Sequence, residues 1–366
     1  MKSLRLNFTI VLLLCPFILF GGNNTFAENR NIQVVANFTT TPPKIDGRMD
    51  DSVWELGVPI DGLFQRDPIE GAPASERTVV RILFDKHSLY IGFRCYDSSS
   101  KHIIANRMQR DSELEENDNV SVILDPYNDS RGGFFFSTNP LGAKLDIFLS
   151  DEGRSRDEAW DCIWHCQTTR DSRGWTAEMA IPFDQLRYAE SDDAIWGINL
   201  GRTIRRKNED VYLVPPSRSY GFGGQYRTSN LAQLRGLGKL TKKHRLQITP
   251  YGLFGIEREF NSLNPDMHRL MNSGIDLKYG PTSSTTIDFS YKTDFSQVET
   301  DQEQTNLTRF SLFLPEKRDF FLEGASIFSF GERVERISAQ RRPPNLLFYS
   351  RQIGIQSGFK VPILFG

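Results

Sequence analysis

The sequence lacks any apolar run long enough to cross a bilayer as a helix. The longest run, residues 8–20, lies behind Lys2 and Arg5 and is followed by Thr25-Phe26-Ala27. A spanning helix needs about 20 apolar residues, whereas a short apolar run behind early cations is typical of a cleaved secretory signal. We expect residues 1–27 to be a signal peptide and the protein to be exported to the periplasm or the outer membrane of a Gram-negative cell.

Neither sign of charge dominates the chain. Its 44 basic and 46 acidic side chains give a formal net charge of -2, and neither sign gathers into a long block. Nucleic-acid binding depends on clustered positive charge. The composition therefore does not favour a nucleic-acid partner.

Cysteine is scarce. The chain has four cysteines, and cleavage of the signal would leave Cys95, Cys162 and Cys166, an odd number that leaves at least one unpaired or paired between chains. On one continuous strand Cys162 and Cys166 would lie about 13 Å apart, beyond the reach of a disulfide. A bridge from Cys95 to either one stays open. The group Cys162, His165 and Cys166 lacks the haem-attachment order and a fourth zinc ligand, so we interpret these as ordinary strand residues.

The chain also lacks the motifs of common enzyme classes. Nucleophile-elbow, metalloprotease and phosphate-loop patterns are missing. A glycosidase needs two carboxylates across a cleft, and no Asp or Glu occupies a motif that can be tied to that task. The sequence predicts no catalytic centre.

Helical periodicity is rare, and short β-rich segments separated by turn residues fill the chain from Lys44 to Leu240. Three pairs of segments predict hairpins: 78–84 with 89–96, 133–138 with 143–149, and 162–169 with 175–181. This pattern is typical of a sandwich. We predict an all-β fold in which residues 28–238 form an antiparallel β-sandwich of the jelly-roll or immunoglobulin-like type.

After residue 239 the alternation becomes longer. Ile287, Phe289 and Tyr291 alternate with polar residues, as do Phe310, Leu312 and Leu314. The polar faces of these strands are dense, which favours a membrane barrel with apolar residues outward. The strands of a second sandwich would also alternate between apolar and polar residues. The smallest barrels need about 8 strands, and this region holds about half that number of clear candidates. We predict an incomplete outer-membrane β-barrel-like domain over residues 239–366 of a truncated chain.

Two groups of motifs resemble known families. The first group resembles family 9 carbohydrate-binding modules, which have a dopamine-monooxygenase-like sandwich fold. Its motifs are Ile45-Asp46-Gly47 with Trp54, Leu83-Phe84-Asp85 with Leu89-Tyr90-Ile91, the strand from Asn117-Asp118 to Asp125-Pro126, and Gly174-Trp175-Thr176-Ala177-Glu178 with Ile181-Pro182-Phe183. The second resembles an uncharacterised outer-membrane barrel domain in segments 294–299 (DFSQVE), 306–310 (NLTRF), 315–324 (PEKRDFFLEG) and 348–351 (FYSR). The first resemblance implies non-catalytic binding of xylan-type glycans by a module that accompanies glycosidases.

The resemblance also implies where a sugar would bind. In that family two tryptophans sandwich a terminal sugar, because aromatic faces stack on sugar rings. The first position falls at Glu115 and Glu116, so one stacking face is missing. The second falls near Tyr220, Phe222 and Tyr226, and Lys144 lies where a basic side chain would bond hydroxyls.

The residues leave further alternatives open. Trp160 and Trp164 would share one face of a strand, as a sugar platform or as part of the core. Asp118, Asp125 and Glu116 could supply oxygen ligands to calcium, although EF-hand spacing is absent. Related sandwiches bind haem b between their sheets, for which Met108 and His102 are available. The main hypothesis is a non-catalytic glycan-binding envelope protein; a haem electron carrier, a structural plug or adaptor of a barrel, and a glycoside hydrolase are the alternatives.

Overall fold

The computed structural model describes residues 32–158, 160–188, 191, 193–238, 240, 245–258, 267–281 and 287–291, together with four two-residue strands. The first 15 strands are β1 Gln33–Val35, β2 Asn37–Phe38, β3 Ile60–Asp61, β4 Phe64–Asp67, β5 Thr78–Phe84, β6 Ser88–Tyr96, β7 Asn119–Asp125, β8 Gly133–Thr138, β9 Lys144–Ser150, β10 Ser155–Asp157, β11 His165–Asp171, β12 Gly174–Pro182, β13 Trp196–Ile204, β14 Glu209–Tyr212 and β15 Ala232–Arg235. Short 3-10 turns are Ser52–Leu56, Ser100–His102, Asp151–Gly153, Phe183–Gln185, Arg205–Lys207 and Arg218–Tyr226.

These strands form two sheets that pack face to face. The larger sheet has the order β1-β15-β13-β7-β8-β9-β10, with β14 and β4 continuing from β13. The smaller has the order β11-β12-β6-β5-β2, with β3 also beside β5. Pairing is antiparallel except where β1 meets β15 and β2 meets β5. The predicted antiparallel β-sandwich is confirmed.

The core lies between the sheets because side chains alternate across each strand. Ile82 and Phe93 of the smaller sheet belong to one buried cluster with Val122, Phe136 and Ile198 of the larger sheet. A second, smaller apolar cluster lies on the outer face of the larger sheet. Loops must therefore cover that face, and one of them carries the candidate site.

The three predicted hairpins are confirmed as β5–β6, β8–β9 and β11–β12. In the first, the Asp85 carboxylate accepts hydrogen bonds from the backbone N–H of His87 at 2.6 Å and of Ser88 at 2.8 Å. Its other oxygen accepts from the Tyr90 hydroxyl at 3.0 Å. A single aspartate thus stabilises the turn, because its short polar side chain accepts hydrogen bonds from the backbone N–H groups of the tight turn.

None of the three described cysteines, Cys95, Cys162 and Cys166, forms a disulfide. Cys166 lies on β11 and Cys162 precedes that strand. Burial raises the pKa of Cys95 to about 11, so this thiol is protonated and a poor nucleophile at neutral pH. The bridge from Cys95 that the sequence left open is not formed.

A third sheet follows the sandwich in the chain. Its strands are β16 Arg245–Arg258, β17 Met267–Gly280 and β18 Ile287–Tyr291, paired antiparallel in that order. The predicted alternating strand at Ile287, Phe289 and Tyr291 is confirmed. The segment around 310–314 and the expected signal peptide lie outside the described residues. In the part of the chain that the structure describes, no helix has both the length and the apolar character needed to span a membrane.

Candidate functional site

A loop covers the outer face of the larger sheet near β8 and β9. That face presents Phe135, Ile147 and Leu149, which form a buried cluster with Tyr226 of the loop and with Leu231, which follows the loop in the chain. The rings of Phe135 and Tyr226 lie 4.9 Å apart, edge to face. The apolar outer face therefore anchors the C-terminal end of the loop.

The loop itself is the 3-10 segment Arg218–Tyr226. The Ser217 hydroxyl accepts from the backbone N–H of Ser219 at 3.3 Å and caps its start. The segment is interrupted at Gly221, whose φ of 62° and ψ of -154° lie in a region reserved for glycine. This break turns the next side chain, Phe222, away from the protein.

The three aromatic rings of the loop differ sharply in exposure. Phe222 is 98% exposed, Tyr220 is 41% exposed and Tyr226 is 4% exposed. The guanidinium of Arg227 lies 4.8 Å from the Tyr220 ring, and that of Arg156 lies 4.7 Å from the Tyr226 ring. Among the described residues, Phe222 has neither a ring nor a guanidinium against it. Tyr226, predicted as a sugar platform, is instead part of the outer-face core.

Planar polar groups lie at the C-terminal end of the loop, around Tyr226. The Gln225 amide donates to the Glu115 carboxylate at 3.3 Å, which brings the predicted Glu115 to the loop. Arg156 of β10 is exposed, and no carboxylate of the described residues pairs with it. Burial raises the pKa of Tyr226 to about 12, and Glu115 adds to the rise, so the phenol beneath Arg156 is neutral at pH 7. We call Tyr220, Phe222, Gln225, Glu115 and Arg156 the loop surface.

The chemistry of the loop surface is that of recognition. An aromatic face stacks on an apolar ring surface, while a carboxylate and a guanidinium each form two parallel hydrogen bonds. Such a set suits a ring-shaped ligand with neighbouring hydroxyls. None of these side chains is placed as an activated nucleophile with a general base.

Lys144, Trp160 and Trp164 lie elsewhere. Trp160 is half-buried and contacts Phe134 at 4.9 Å between ring centroids, whereas Tyr226 contacts Phe135. Successive residues of β8 face opposite sides of the sheet, so these tryptophans are on the inner side. Trp164 is buried and donates through Nε1 to Asp146 at 3.1 Å, and Lys144 donates to its carbonyl at 3.1 Å. Trp164 is therefore a core residue, and Lys144 and Trp160, also predicted as sugar contacts, lie on the inner side of the larger sheet, away from the loop.

The predicted calcium ligands are separated. Asp118 and Asp125 stand at opposite ends of β7, about 20 Å apart. Each carboxylate binds its own loop: Asp118 accepts from Ile104 N at 2.7 Å and Asp125 from Ser130 N at 2.8 Å. Glu116 pairs with Arg205 at 3.1 Å. No group of three or more His, Cys, Asp or Glu within the described ranges is arranged to hold a metal. The structure therefore does not bring these three carboxylates together around one calcium ion.

The residues considered for haem are also misplaced for that role. Met108 is 75% exposed, and His102 is exposed with Nδ1 at 2.8 Å from the Ser99 hydroxyl. Neither lies between the two sheets, where the core side chains are. The haem prediction on Met108 and His102 is not supported by this geometry.

Sequence reasoning missed three residues of the site. Arg156 lies on a three-residue strand, Gln225 lies inside the loop, and Arg66 of β4 contacts the loop from beneath. No local pattern marks Arg66 and Arg156, because each contacts the loop from a segment that is distant in sequence. Only Gln225, between the predicted Phe222 and Tyr226, was near a residue already singled out.

Comparisons with known proteins cover both halves of the chain. Residues 243–361 match the family described as "Domain of unknown function (DUF5916)". The chain is similar to a family 9 carbohydrate binding module from Caldicellulosiruptor kristjanssonii, solved with cellotriose and with glucose; both structures are 14% identical, cover 57% of this chain and 94% or 96% of their own, and have a TM-score of 0.42. It is also similar to a putative carbohydrate-binding protein from Bacteroides uniformis ATCC 8492. That structure is 13% identical, the match covers 56% of this chain and 98% of that protein's chain, and the TM-score is 0.43. No curated protein sequence matches.

Proposed function

We propose that this chain binds carbohydrate without transforming it, and that the loop surface is the binding site. The observation that carries the proposal is Phe222, a phenylalanine that is 98% exposed on a loop held at both ends. A phenylalanine side chain of this kind presents apolar area that a sugar ring can cover. The backbone of the loop is held at both ends, so little backbone entropy is lost when the ligand binds.

The polar side chains of the loop surface, Glu115 and Arg156, also support carbohydrate as the ligand. Glu115 accepts hydrogen bonds and Arg156 donates them, so together they can bond neighbouring hydroxyls of one sugar. Stacking on one ring contributes about 0.5 to 1.5 kcal/mol beyond buried area. With a single free aromatic face, we expect a dissociation constant on the order of 1 mM. The motif resemblance to family 9 modules supports xylan-type glycans as the ligands, and a link to their catabolism or uptake.

Titration calorimetry tests this proposal. The full chain would be titrated with glucose, cellotriose, xylo-oligosaccharides and manno-oligosaccharides in an amine-oxide detergent, because maltoside detergents carry glucose themselves. Phe222→Ala is expected to weaken binding about tenfold or more. Phe38→Ala, at an exposed phenylalanine of the smaller sheet, is the matched control and should leave affinity unchanged. If none of these sugars gave a measurable heat of binding, carbohydrate binding would be refuted.

We further propose that the third sheet faces the lipid of the outer membrane. By register, the exposed large apolar side chains that the structure describes in this sheet lie on one face: Leu246, Ile248, Phe254, Met271, Ile275, Tyr279, Ile287, Phe289 and Tyr291. On the opposite face, Ser290 donates to Asp276 at 2.5 Å and Lys278 lies 3.9 Å from Asp288. Strands β16 and β17 have 14 residues each, and about 9 to 11 are enough to cross a bilayer. This apolar face suits hydrocarbon rather than water.

Spin labels on neighbouring residues test the lipid contact. A nitroxide at Ile248 should be accessible to oxygen dissolved in lipid, and one at Thr249, on the other face, should be more accessible to a water-soluble nickel complex. Both labels sit on the same strand, so local mobility is matched. Equal water accessibility at the two positions would contradict the membrane proposal and leave carbohydrate binding untouched.

A further inference from the structure

The position of Phe222 depends on contacts made by its neighbours, because its own ring makes none with the described rings or guanidinium groups. Arg66, on β4, is 8% exposed and donates through Nη2 to the carbonyl of Gly221, the residue before Phe222. Its Nη1 donates to the Asp67 carboxylate at 2.8 Å. A buried guanidinium thus holds the backbone at the point where the loop turns outward.

Arg66 also contacts the loop on the other side of Phe222. A Cβ added to Gly224 would lie 3.3 Å from Nη2 and 3.4 Å from Nε of Arg66, so the guanidinium lies close against the Gly224 backbone. Gly221 itself has open space around it, and its restriction is the backbone conformation alone. The guanidinium therefore contacts the loop backbone on both sides of Phe222, at Gly221 and at Gly224.

Asp67 ties the start of the loop to the same point. Its second oxygen lies 3.1 Å from Nε of Arg218, the first residue of the 3-10 segment. Arg218 also donates to the Pro68 carbonyl at 3.2 Å, and its backbone N–H donates to Glu70 at 3.3 Å. The turn after β4 and the loop are thereby joined by several hydrogen bonds.

We propose that Arg66 is a positioning residue for carbohydrate recognition: it holds Phe222 in its outward conformation and does not itself touch the ligand. The inference rests on the proposed function of the loop surface. An ordered loop avoids the entropy that a mobile loop loses on binding. The rigid, planar guanidinium suits this role better than a lysine ammonium, which is a point charge on a flexible stem.

A double-mutant cycle tests the proposal with cellotriose as the probe. Arg66→Lys is expected to weaken binding by about threefold to tenfold, and Phe222→Ala by about tenfold or more. In the Phe222→Ala background, Arg66→Lys should have no further effect, because the ring through which Arg66 acts is gone. An equal loss in both backgrounds, or no loss in either, would overturn the positioning role.

Trypsin cleavage gives a readout that needs no ligand. Arg66→Lys should speed cleavage after Arg218 or Arg227 by about tenfold, since opening of the loop exposes these bonds. Arg94→Lys is the control, because Arg94 pairs with Asp171 on the smaller sheet, away from the loop. Unchanged cleavage in Arg66→Lys would contradict the inference. If the unaltered chain binds no sugar of the panel while Arg66→Lys still opens the loop, the proposed function fails and the structural role of Arg66 stands.

Asp67→Asn covers the case in which Arg66→Lys does not fold. It keeps the guanidinium and removes the ionic contacts that hold Arg66 and Arg218. We expect faster cleavage and weaker cellotriose binding in the same direction, with a smaller change. No change in either quantity would count against the proposal.

Discussion

The indole Nε1 of Trp54 donates to the Glu178 carboxylate at 2.8 Å, across 124 residues of chain. The same carboxylate accepts from the backbone N–H of Met49 at 3.1 Å, Asp46 at 2.9 Å and Gly47 at 2.6 Å. Two motifs that carry the family resemblance, Ile45-Asp46-Gly47 with Trp54 and Gly174 to Glu178, therefore meet at one buried group. Their role is to close the outer face of the smaller sheet.

Glu178→Gln should destabilise the sandwich. The amide keeps one accepting oxygen and places an NH₂ group at the position of the other. That NH₂ group would then face the backbone N–H of Asp46 or of Met49, and two donors cannot form a hydrogen bond. Loss of charge-assisted hydrogen bonds costs about 1.5 to 3 kcal/mol each, and we expect a loss of this order in the free energy of unfolding in urea. Glu55→Gln, at an exposed position of the Ser52–Leu56 turn, is the control. An unchanged urea midpoint in Glu178→Gln would refute the role.

Asp125 should make the sandwich more stable in mild acid. Burial raises the pKa of the Asp125 carboxyl from 3.8 to about 6. The hydrogen bond from the backbone N–H of Ser130 lowers the pKa, but burial has the larger effect. Because the folded state holds the proton more tightly, the stabilisation is complete below pH about 4 and is lost as pH rises through about 6. At about 1.4 kcal/mol per pKa unit, the change is at most about 3 kcal/mol. Urea unfolding at pH 4 and pH 7 measures it, and Asp125→Asn should remove this dependence. The same pH dependence in the variant would show that another group titrates.

Glu76 should act in the opposite direction. Burial alone would raise its pKa, but hydrogen bonds from Lys207, Ser98 and Arg206 outweigh it and lower the pKa to about 2. The carboxylate therefore stabilises the fold above pH about 4.5, and this contribution is lost as pH falls through about 2. Glu76→Gln should lower the free energy of unfolding by about 1 to 3 kcal/mol at pH 7. The difference from the unaltered chain should shrink near pH 2; a constant difference would contradict the ionic explanation.

Gly153→Ala should disrupt the end of the loop surface. Gly153 has a φ of 79°, and an added Cβ would lie 1.8 Å from the Tyr226 carbonyl oxygen, so backbone must move. Gly62→Ala is the matched control, because Gly62 has a φ of 93° and nothing within 4 Å of its Cβ position. The control should lose only about 1 to 3 kcal/mol for its backbone conformation. Gly153→Ala should lose more stability and also lose carbohydrate affinity. Equal losses in the two variants would refute the contact.

The sequence by itself determined the strands and hairpins of the sandwich. Alternation of apolar residues and turn residues such as Asp85 act within a few positions, so a local pattern is enough to predict them. It also placed an aromatic cluster at Tyr220, Phe222 and Tyr226.

Only the tertiary structure decided which of those rings is free. Phe135 and Arg156 cover Tyr226, Arg227 lies over Tyr220, and Phe222 remains open. Asp118 and Asp125, close in sequence, are held apart by an extended strand, and Arg66 meets Gly221 from 155 residues away. The contacts around the rings and the contact of Arg66 with Gly221 arise from the packing of segments that are distant in sequence. No local pattern encodes them, because each depends on which face of which sheet the partner occupies.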